Sequence, residues 1–241
     1  TTPGSYAARN RGITLARGEI LAFTDADCIP GKDWLTAGVT CLTQTAHCGL
    51  VGGQIQTFLQ NPGRPTAVEL YESIRALPQQ EFISLGHFGA TANVFTYSQV
   101  FDTVGLFDSS LKSSGDLEWG QRVYKAGYCQ AYAEAAIVRH PVHSSLKNFC
   151  MRTKRIMGGR YDLQMKLAQT FWQRQLVFLR GVVLGLVPYI GLNDFMGTLR
   201  SDPRIAGTVP KLKVISILAL SRCVSILEIF RLKIGGSSKR A

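Results

Sequence analysis

The stretch LAFTDADCIP, residues 21–30, joins an apolar run to two aspartates one residue apart and ends at a proline. With the two residues before it, the run predicts a short strand over 19–25 that is apolar enough to be buried on both faces. In an open α/β sheet, ligands bind at the carboxyl ends of the strands. Asp25 and Asp27 stand at such an end, where the backbone bends, so both carboxylates can reach one cation. Oxygen ligands favour Mg²⁺ or Mn²⁺, although many surface turns carry the same pair without a ligand.

Other segments alternate between strand-like and helix-like patterns along the chain. Strands are predicted over 49–58 and 128–140, with a loop and short strand over 86–95, and helices over 5–16, 33–45, 66–77, 115–127 and 144–159. Strands that alternate with helices are typical of an α/β layered domain. The sequence therefore predicts an α/β fold in which helices cover a sheet.

The composition is that of a folded chain with an anionic partner. Hydrophobic residues make up 46% of the 241 residues and charged residues 18%, which excludes a disordered protein. The net charge of +11 favours a nucleotide, an anionic membrane surface or nucleic acid as partner. We expect no nucleic-acid partner, because the chain has no RNA or DNA motif and its aromatic residues do not interleave with a basic patch. The six cysteines form no C-x-x-C pair, so we expect thiols in a reducing compartment rather than disulfides or a zinc site.

Two apolar stretches near the C-terminus, 176–192 and 214–230, approach membrane-spanning length, and each carries an arginine, Arg180 or Arg222. Two spans would place the basic residues between them on the outer side, against the positive-inside tendency. Helices that lie in the membrane interface or re-enter it fit these charges better. A pair of core helices is the alternative.

Three segments together resemble family 2 glycosyltransferases, which have the GT-A fold. They are AARNRGITLARGEILAFTDADCIPGKDWL (7–35), FGATANVFTYSQVFDTVGLFDSSLKSSGDLEWGQRVYKAGY (88–128) and AYAEAAIVRHPVHSS (131–145). The match is collinear over about residues 5 to 160, and several motifs in order are more specific than any one. The resemblance implies a GT-A mixed sheet that binds a nucleotide-diphosphate sugar donor.

The resemblance also implies roles at the donor side of the site. Asp27 matches the direct metal ligand of the family's D-x-D, and Asp25 matches a contact to the nucleotide sugar or to the metal. Arg9 and Asn10 stand where the family contacts the donor, with a solvated helix charge as the alternative for Arg9. His140 matches a histidine that completes the metal shell or touches the diphosphate.

On the acceptor side, the resemblance makes Asp116 the catalytic base that takes the proton from the acceptor hydroxyl. Family members commonly read Glu-Asp here, with a further acid and an arginine downstream, whereas this chain reads Gly115-Asp116. The missing Glu puts a supporting contact near the acceptor in doubt. A position near a helix N-terminus is expected to keep Asp116 ionised, and a simple first-turn acid is the alternative. Glu118 precedes Arg122 by four residues, so we expect an ion pair between them.

Several residues keep two interpretations. Gly89, Ala90 and Asn93 match family positions that border the acceptor and the donor sugar. Trp119 is a sugar-stacking platform or a core residue. For His140 and its rival, His143, a structural histidine is the alternative to a ligand. Arg152, Arg155 and Arg160 form either a mobile segment over the diphosphate or a solvated stripe.

The resemblance implies a partial GT-A domain over 1–160, and the composition predicts a basic, apolar helical region over 161–241 as a candidate for membrane association. Against the family pattern, about three strands are missing before Thr1, so we expect a truncated fold. The predicted function is a metal-dependent, inverting glycosyltransferase of the hexosyltransferase type at the cytoplasmic face of the membrane. It would move a sugar from a nucleotide-diphosphate donor to a glycan or lipid-linked acceptor. The alternative is an inactive, membrane-associated remnant of such an enzyme.

Overall fold

A mixed five-stranded sheet organises the N-terminal part of the computed structural model, which describes residues 4–75, 77–186 and 192–238. The strands are β1 (Ile20–Thr24), β2 (Ile29–Pro30), β3 (Cys48–Phe58), β4 (Asn93–Tyr97) and β5 (Cys129–Pro141). Their order across the sheet is β1-β4-β3-β5-β2. β3 and β5 run parallel, and the other neighbouring pairs run antiparallel. The predicted mixed α/β sheet is confirmed.

Helices occupy most of the remaining described chain. They are α1 (Ser5–Leu15), α2 (Trp34–Gln44), α3 (Ala67–Arg75), α4 (Gln79–Gly86), α5 (Ser98–Val104), α6 (Gly115–Lys125), α7 (Leu146–Leu167), α8 (Phe171–Leu186), α9 (Leu192–Ser201) and α10 (Thr208–Lys233), with a 3₁₀ turn over Pro203–Ile205. The predicted helices agree with α1, α2, α3, α6 and the start of α7. Two short elements, β2 and α4, carry too few residues for a periodic pattern and escaped the sequence analysis.

The first strand differs from its prediction. β1 stands at one end of the strand order, and its residues are only partly buried or exposed. The expectation that it is buried on both faces is therefore wrong, because an apolar run of five residues does not reveal how many neighbours the strand has. It does pair along its whole length with β4, from Ile20 opposite Tyr97 to Thr24 opposite Asn93. That pairing fixes where the two aspartates leave the sheet.

The core of this sheet lies where α2 covers its middle strands. Leu42, Val51, Phe95 and Ala136 are all buried there in one cluster. α2 approaches closely because it carries Gly38, where a Cβ atom would lie 2.2 Å from the Phe95 ring. Close packing of this kind restricts the movement of the strands that carry the site.

The chain forms two compact units. The first comprises residues 1–58 and 77–141, and the second comprises residues 59–76 and 142–241. The predicted boundary at residue 160 falls inside α7, a helix of the second unit. In that unit α10 packs against α3, α7 and α8 around buried residues such as Leu70, Ile217 and Ile229.

The described residues of the two apolar stretches lie in helices of the second unit. Over 4–75, 77–186 and 192–238, the helices include none that is both long enough and apolar enough to cross a bilayer. Residues 187–191 of the first stretch lie outside the described residues.

Candidate functional site

One face of α1 carries three residues that organise the first unit. Tyr6, Arg9 and Asn10 are spaced three and four residues apart, so they share a face of the helix. The Asn10 side chain donates to the Phe107 carbonyl (2.8 Å) and accepts from the Phe107 amide (3.1 Å). This two-way bond holds α1 against the segment before α6. Asn10, a predicted donor contact, thus has a positioning role in the structure.

Arg9 reaches from α1 to the end of β1. Its Nη2 atom lies 2.8 Å from Oδ1 of Asp25, and both side chains are partly buried. The guanidinium also lies 5.6 Å from the centre of the Tyr6 ring. Arg9 is therefore not a solvated helix charge. Because Asp25 already faces a cation, it is an unfavourable metal ligand unless the ion pair opens.

Tyr6 supports the start of α6 from a distance of 109 residues. Its hydroxyl oxygen accepts a hydrogen bond from the Gly115 amide at 2.8 Å. The first amides of a helix lack partners within the helix, and Ser114 at the cap position provides no side-chain bond. Tyr6 thus takes the place of a capping side chain. A Cβ atom on Gly115 would lie 2.7 Å from the Tyr6 ring, so this contact requires glycine at 115.

Asp116 follows directly and is held by the same helix end. Its Oδ1 atom accepts from the Leu117 amide at 3.0 Å. Desolvation raises the pKa of the Asp116 carboxyl above its usual range, although the Leu117 amide and the nearby Arg9 charge lower it. Asp25 raises it slightly further. Desolvation therefore outweighs the helix end in its effect on the pKa of Asp116. The expectation that Asp116 is ionised stays a prediction. A raised pKa suits a general base, whose proton affinity should approach the working pH.

The Asp116 charge acts back on Tyr6. The pKa of Tyr6 is raised to about 12, mainly by desolvation and secondly by the nearby Asp116 carboxylate. The hydroxyl therefore stays protonated at physiological pH. It lies beside the carboxylate as a neutral group that can accept from the helix amides without adding charge.

A second cluster forms where β2 pairs with β5. Ile29 lies opposite Arg139 and Pro30 opposite Val138, so one further step of this register sets Cys28 opposite His140. Opposed residues of antiparallel strands have neighbouring side chains. Ligand atoms of Asp27, Cys28 and His140 all lie within 4.8 Å of one another. Asp27 is exposed and the other two are partly buried.

The cluster fits a divalent cation. His140 Nδ1 lies 2.8 Å from the Pro141 carbonyl oxygen, so Nδ1 carries the proton and Nε2 keeps a lone pair for a metal. A carboxylate and an imidazole suit Mn²⁺ better than Mg²⁺, which prefers oxygen alone. The structure thus brings the predicted ligands Asp27 and His140 together, while Asp25 is engaged with Arg9.

His143, the rival histidine, lies in the second unit. Its Nδ1 atom lies 3.0 Å from Glu72 Oε2, and its amide donates to the same oxygen at 2.8 Å. Arg152 donates to the other Glu72 oxygen at 2.8 Å. Desolvation raises the pKa of the Glu72 carboxyl, whereas the contacts with His143 and Arg152 lower it. The pKa of Glu72 is lowered overall. His143 and Arg152 therefore both have structural partners.

The predicted sugar-contact residues Gly89, Ala90 and Asn93 are all buried. A Cβ atom on Gly89 would lie 2.8 Å from Val94. The Ala90 carbonyl accepts from the side-chain amide of Gln79, and the Ala90 N–H donates to the oxygen of the same side chain. Asn93 donates to the carbonyls of Gln54 (2.9 Å) and Ala136 (2.8 Å) and accepts from the Trp34 indole (2.8 Å). Each residue has a packing role here, and contact with a sugar stays a prediction.

Two predictions on α6 are settled by its packing. Trp119 is buried, stacks on Phe101 and donates to the Gly105 carbonyl, so it is a core residue. Arg122 pairs with Glu118 at 2.7 Å, which confirms the expected ion pair. Arg122 also donates to the carbonyls of the segment 104–106.

Comparison with known proteins identifies the family. The chain is 35% identical over 228 residues to glycosyltransferase AglE of Haloferax volcanii, an alignment that covers 93% of this chain and 71% of AglE. The chain belongs to glycosyl transferase family 2. The family model itself matches residues 2–101, which include α1, β1 and the D-x-D.

Other relatives are more distant. The pre-mycofactocin glycosyltransferase of Mycobacterium tuberculosis is 28% identical over 162 residues, which span 65% of this chain and only 34% of that protein. Among solved structures, the mannosyltransferase PcManGT from Pyrobaculum calidifontis in complex with GDP-Man and Mn²⁺ aligns with a TM-score of 0.49 at 14% identity. That alignment covers 93% of this chain and 66% of PcManGT.

The site of this family 2 chain contains two residues that sequence reasoning missed. Tyr6 occupies the space beside Gly115 and bonds its amide, but a contact across 109 residues leaves no local signal. Cys28 joins Asp27 and His140. Its position next to the D-x-D was visible in the sequence, but the pairing of β2 with β5 was not.

Proposed function

We propose that this family 2 chain is a metal-dependent, inverting glycosyltransferase with a GT-A fold, which uses a nucleotide-diphosphate sugar donor. One observation carries the proposal. Within one compact unit, α1 connects the end of β1, through Arg9 and Asp25, to the start of α6, where Asp116 has a raised pKa. A single displacement needs a base for the acceptor hydroxyl and a cation for the leaving diphosphate. Asp116 supplies the base, and the residues after β1 supply ligands for the cation.

In the proposed reaction, Asp116 accepts the proton from an acceptor hydroxyl as the hydroxyl oxygen bonds to the anomeric carbon. The bond from that carbon to the diphosphate oxygen breaks on the opposite face, so the anomeric configuration inverts. A divalent cation held by Asp27 and His140, Mn²⁺ or Mg²⁺, would offset the charge that develops on the departing diphosphate. Arg9 holds Asp25 and limits the negative charge that faces the donor.

The acceptor is proposed to be a glycan or a lipid-linked glycan at the cytoplasmic face of the membrane. The support lies in α8, whose outward side carries apolar residues at spacings of four, three and four: Trp172, Leu176, Leu179 and Val183, all exposed. The opposite side of α8, which includes Phe178, packs against α10. Arg180 is also exposed and lies beside this stripe. An apolar stripe with an arginine at its edge suits an anionic lipid surface.

Donor chemistry tests the main proposal. The chain is incubated with Mn²⁺, an alkyl glycoside as hydroxyl acceptor and the UDP, GDP and dTDP derivatives of common hexoses, and the release of nucleoside diphosphate is measured. Asp116→Asn is expected to keep donor binding in calorimetry and to lose turnover by more than about a hundredfold, as expected when a general base is removed. The matched control is Asp102→Asn, an exposed acid on α5. Undiminished turnover in Asp116→Asn, or a retained anomeric configuration by NMR, refutes the mechanism.

Failure to bind any donor would favour the alternative, an inactive remnant. Vesicle co-sedimentation tests the lipid surface separately. Leu176→Asp with Leu179→Asp should abolish binding to phosphatidylglycerol vesicles, while Leu85→Asp, an exposed leucine of α4, should not. Equal binding by both variants would remove α8 from the proposal.

A further inference from the structure

The cation site contains a thiol that the proposed function does not use. Cys28 follows Asp27 directly, and its ligand atom lies within 4.8 Å of those of Asp27 and His140. The side chain is partly buried against a cluster that includes Ile55 and Ala90. Its amide donates to the Asp25 carbonyl at 3.0 Å, which closes the turn after β1. Its position is therefore fixed by both backbone pairing and packing.

We propose that Cys28 is a third protein ligand of this site, so that the site selects a borderline-soft divalent cation of the zinc class over Mg²⁺. The inference depends on the proposed function only for the placement of a cation at Asp27 and His140. One carboxylate, one thiolate and one imidazole leave a fourth tetrahedral position open. That open position could accept a water or a diphosphate oxygen.

The ligand atoms already lie near coordination distance of one another. Bonds of about 2.0–2.3 Å to zinc place tetrahedral ligand atoms roughly 3.3–3.8 Å apart. The present separations, within 4.8 Å, therefore need to close by at most about 1.5 Å. The Asp27 side chain is exposed, and the bond between His140 Nδ1 and the Pro141 carbonyl leaves Nε2 as the nitrogen available to a cation. In the part of the chain that the structure describes, no other trio of His, Cys, Asp or Glu meets this separation.

Coordination has a defined proton balance. The thiol loses its proton to solvent as the sulfur lone pair bonds to the cation, so binding releases one proton per metal and strengthens as pH rises. Thiolate ligation favours zinc-class ions, and the order of affinities for divalent ions places Mn²⁺ below Co²⁺ and Zn²⁺. The cysteine spacing predicts against a zinc site, but the ligands proposed here come from β5 and from the turn between β1 and β2, which are far apart along the chain.

Cobalt absorption tests the proposal without any turnover. Co²⁺ is titrated into the full chain, free of any polyhistidine tag, and the near-ultraviolet band of cobalt–thiolate charge transfer is recorded. The band should appear at one equivalent, disappear when Zn²⁺ is added and persist in excess Mg²⁺. Cys28→Ser should lose the band and weaken Co²⁺ binding by more than about tenfold, since serine offers no soft ligand. The control Cys129→Ser, an exposed thiol at the start of β5, should keep both.

A second measurement avoids any variant. Cys28 in the wild-type chain is alkylated with iodoacetamide, and the modified peptide is followed by mass spectrometry with and without Zn²⁺. Zinc should slow alkylation of Cys28 and leave Cys129 unaffected. A band that survives in Cys28→Ser, a wild-type chain without a band, or alkylation of Cys28 that zinc leaves unchanged would overturn the inference. Cobalt binding through Cys28 in a chain that binds no sugar nucleotide would instead count against the proposed function alone.

Discussion

Replacing Asn93 with alanine should destabilise the first unit because the Asn93 side chain joins four elements. From β4 it donates to carbonyls of β3 (Gln54) and β5 (Ala136) and accepts from the Trp34 indole of α2. The side chain is buried, and all three of these bonds lie within 2.8–2.9 Å. The family resemblance predicts that the same residue contacts a sugar. The two roles predict different results for one substitution.

The magnitude follows from the bonds that are lost. A typical intramolecular hydrogen bond contributes about 0.5–1.5 kcal/mol net, so three lost bonds predict a loss of about 1.5–4.5 kcal/mol in the free energy of unfolding. The buried indole and the two carbonyls also lose a partner, which moves the expected value toward the upper end of that range. A residue that mainly touched a ligand would cost little stability and a large part of the affinity.

Urea unfolding followed by tryptophan fluorescence measures the effect, because Trp34 is itself one of the bonded groups. The matched control is Gln56→Ala, an exposed amide of β3 bonded to the Gln54 side chain, which should stay within about 0.5 kcal/mol of the wild type. A loss below about 0.5 kcal/mol in Asn93→Ala would refute the structural role. A full loss of donor affinity at that unchanged stability would restore the sugar-contact role.

Four further predictions concern ionisable groups. Asp116→Asn should raise the midpoint of thermal unfolding at neutral pH. Because the pKa of Asp116 is raised in the folded chain, its negative charge lowers the stability of the fold above that pKa, and neutral asparagine removes this cost. The acid limb of the pH–rate profile should lie above the usual aspartate range. Arg9→Gln should move this limb to higher pH, because the Arg9 charge lowers the pKa of Asp116. A limb at the same pH in Arg9→Gln would show that Arg9 does not influence the pKa of the catalytic base. Tyr6→Phe should cost about 1 kcal/mol in urea unfolding through the lost bond to the Gly115 amide, as a lost helix cap does, and an unchanged midpoint would contradict that role. Glu72→Gln should lower the free energy of unfolding at neutral pH and make it fall less steeply in acid. The lowered pKa of Glu72 stabilises the fold at neutral pH, and this contribution is lost as pH falls through that pKa. An equally steep loss of stability in acid for the variant would contradict this.

The sequence by itself determined the features whose causes are local. Helices such as α1, α2 and α6 follow from spacings of three and four residues. The pair of Glu118 and Arg122 lies within a single helix, and the D-x-D follows a strand. Interactions between residues one helical turn apart depend on spacing alone. For the same reason the ordered motifs were enough to indicate the family that the relatives identify.

Only the tertiary structure decided which of these side chains meet. His140 and His143 are three residues apart, yet one lies beside Asp27 and the other beside Glu72, because β5 pairs with β2 only as far as Arg139 before the chain enters the second unit. The raised pKa of Asp116 likewise depends on how much water the folded chain removes from its carboxyl. Desolvation and pairing between distant strands are properties of packing, so no spacing along the chain encodes them directly.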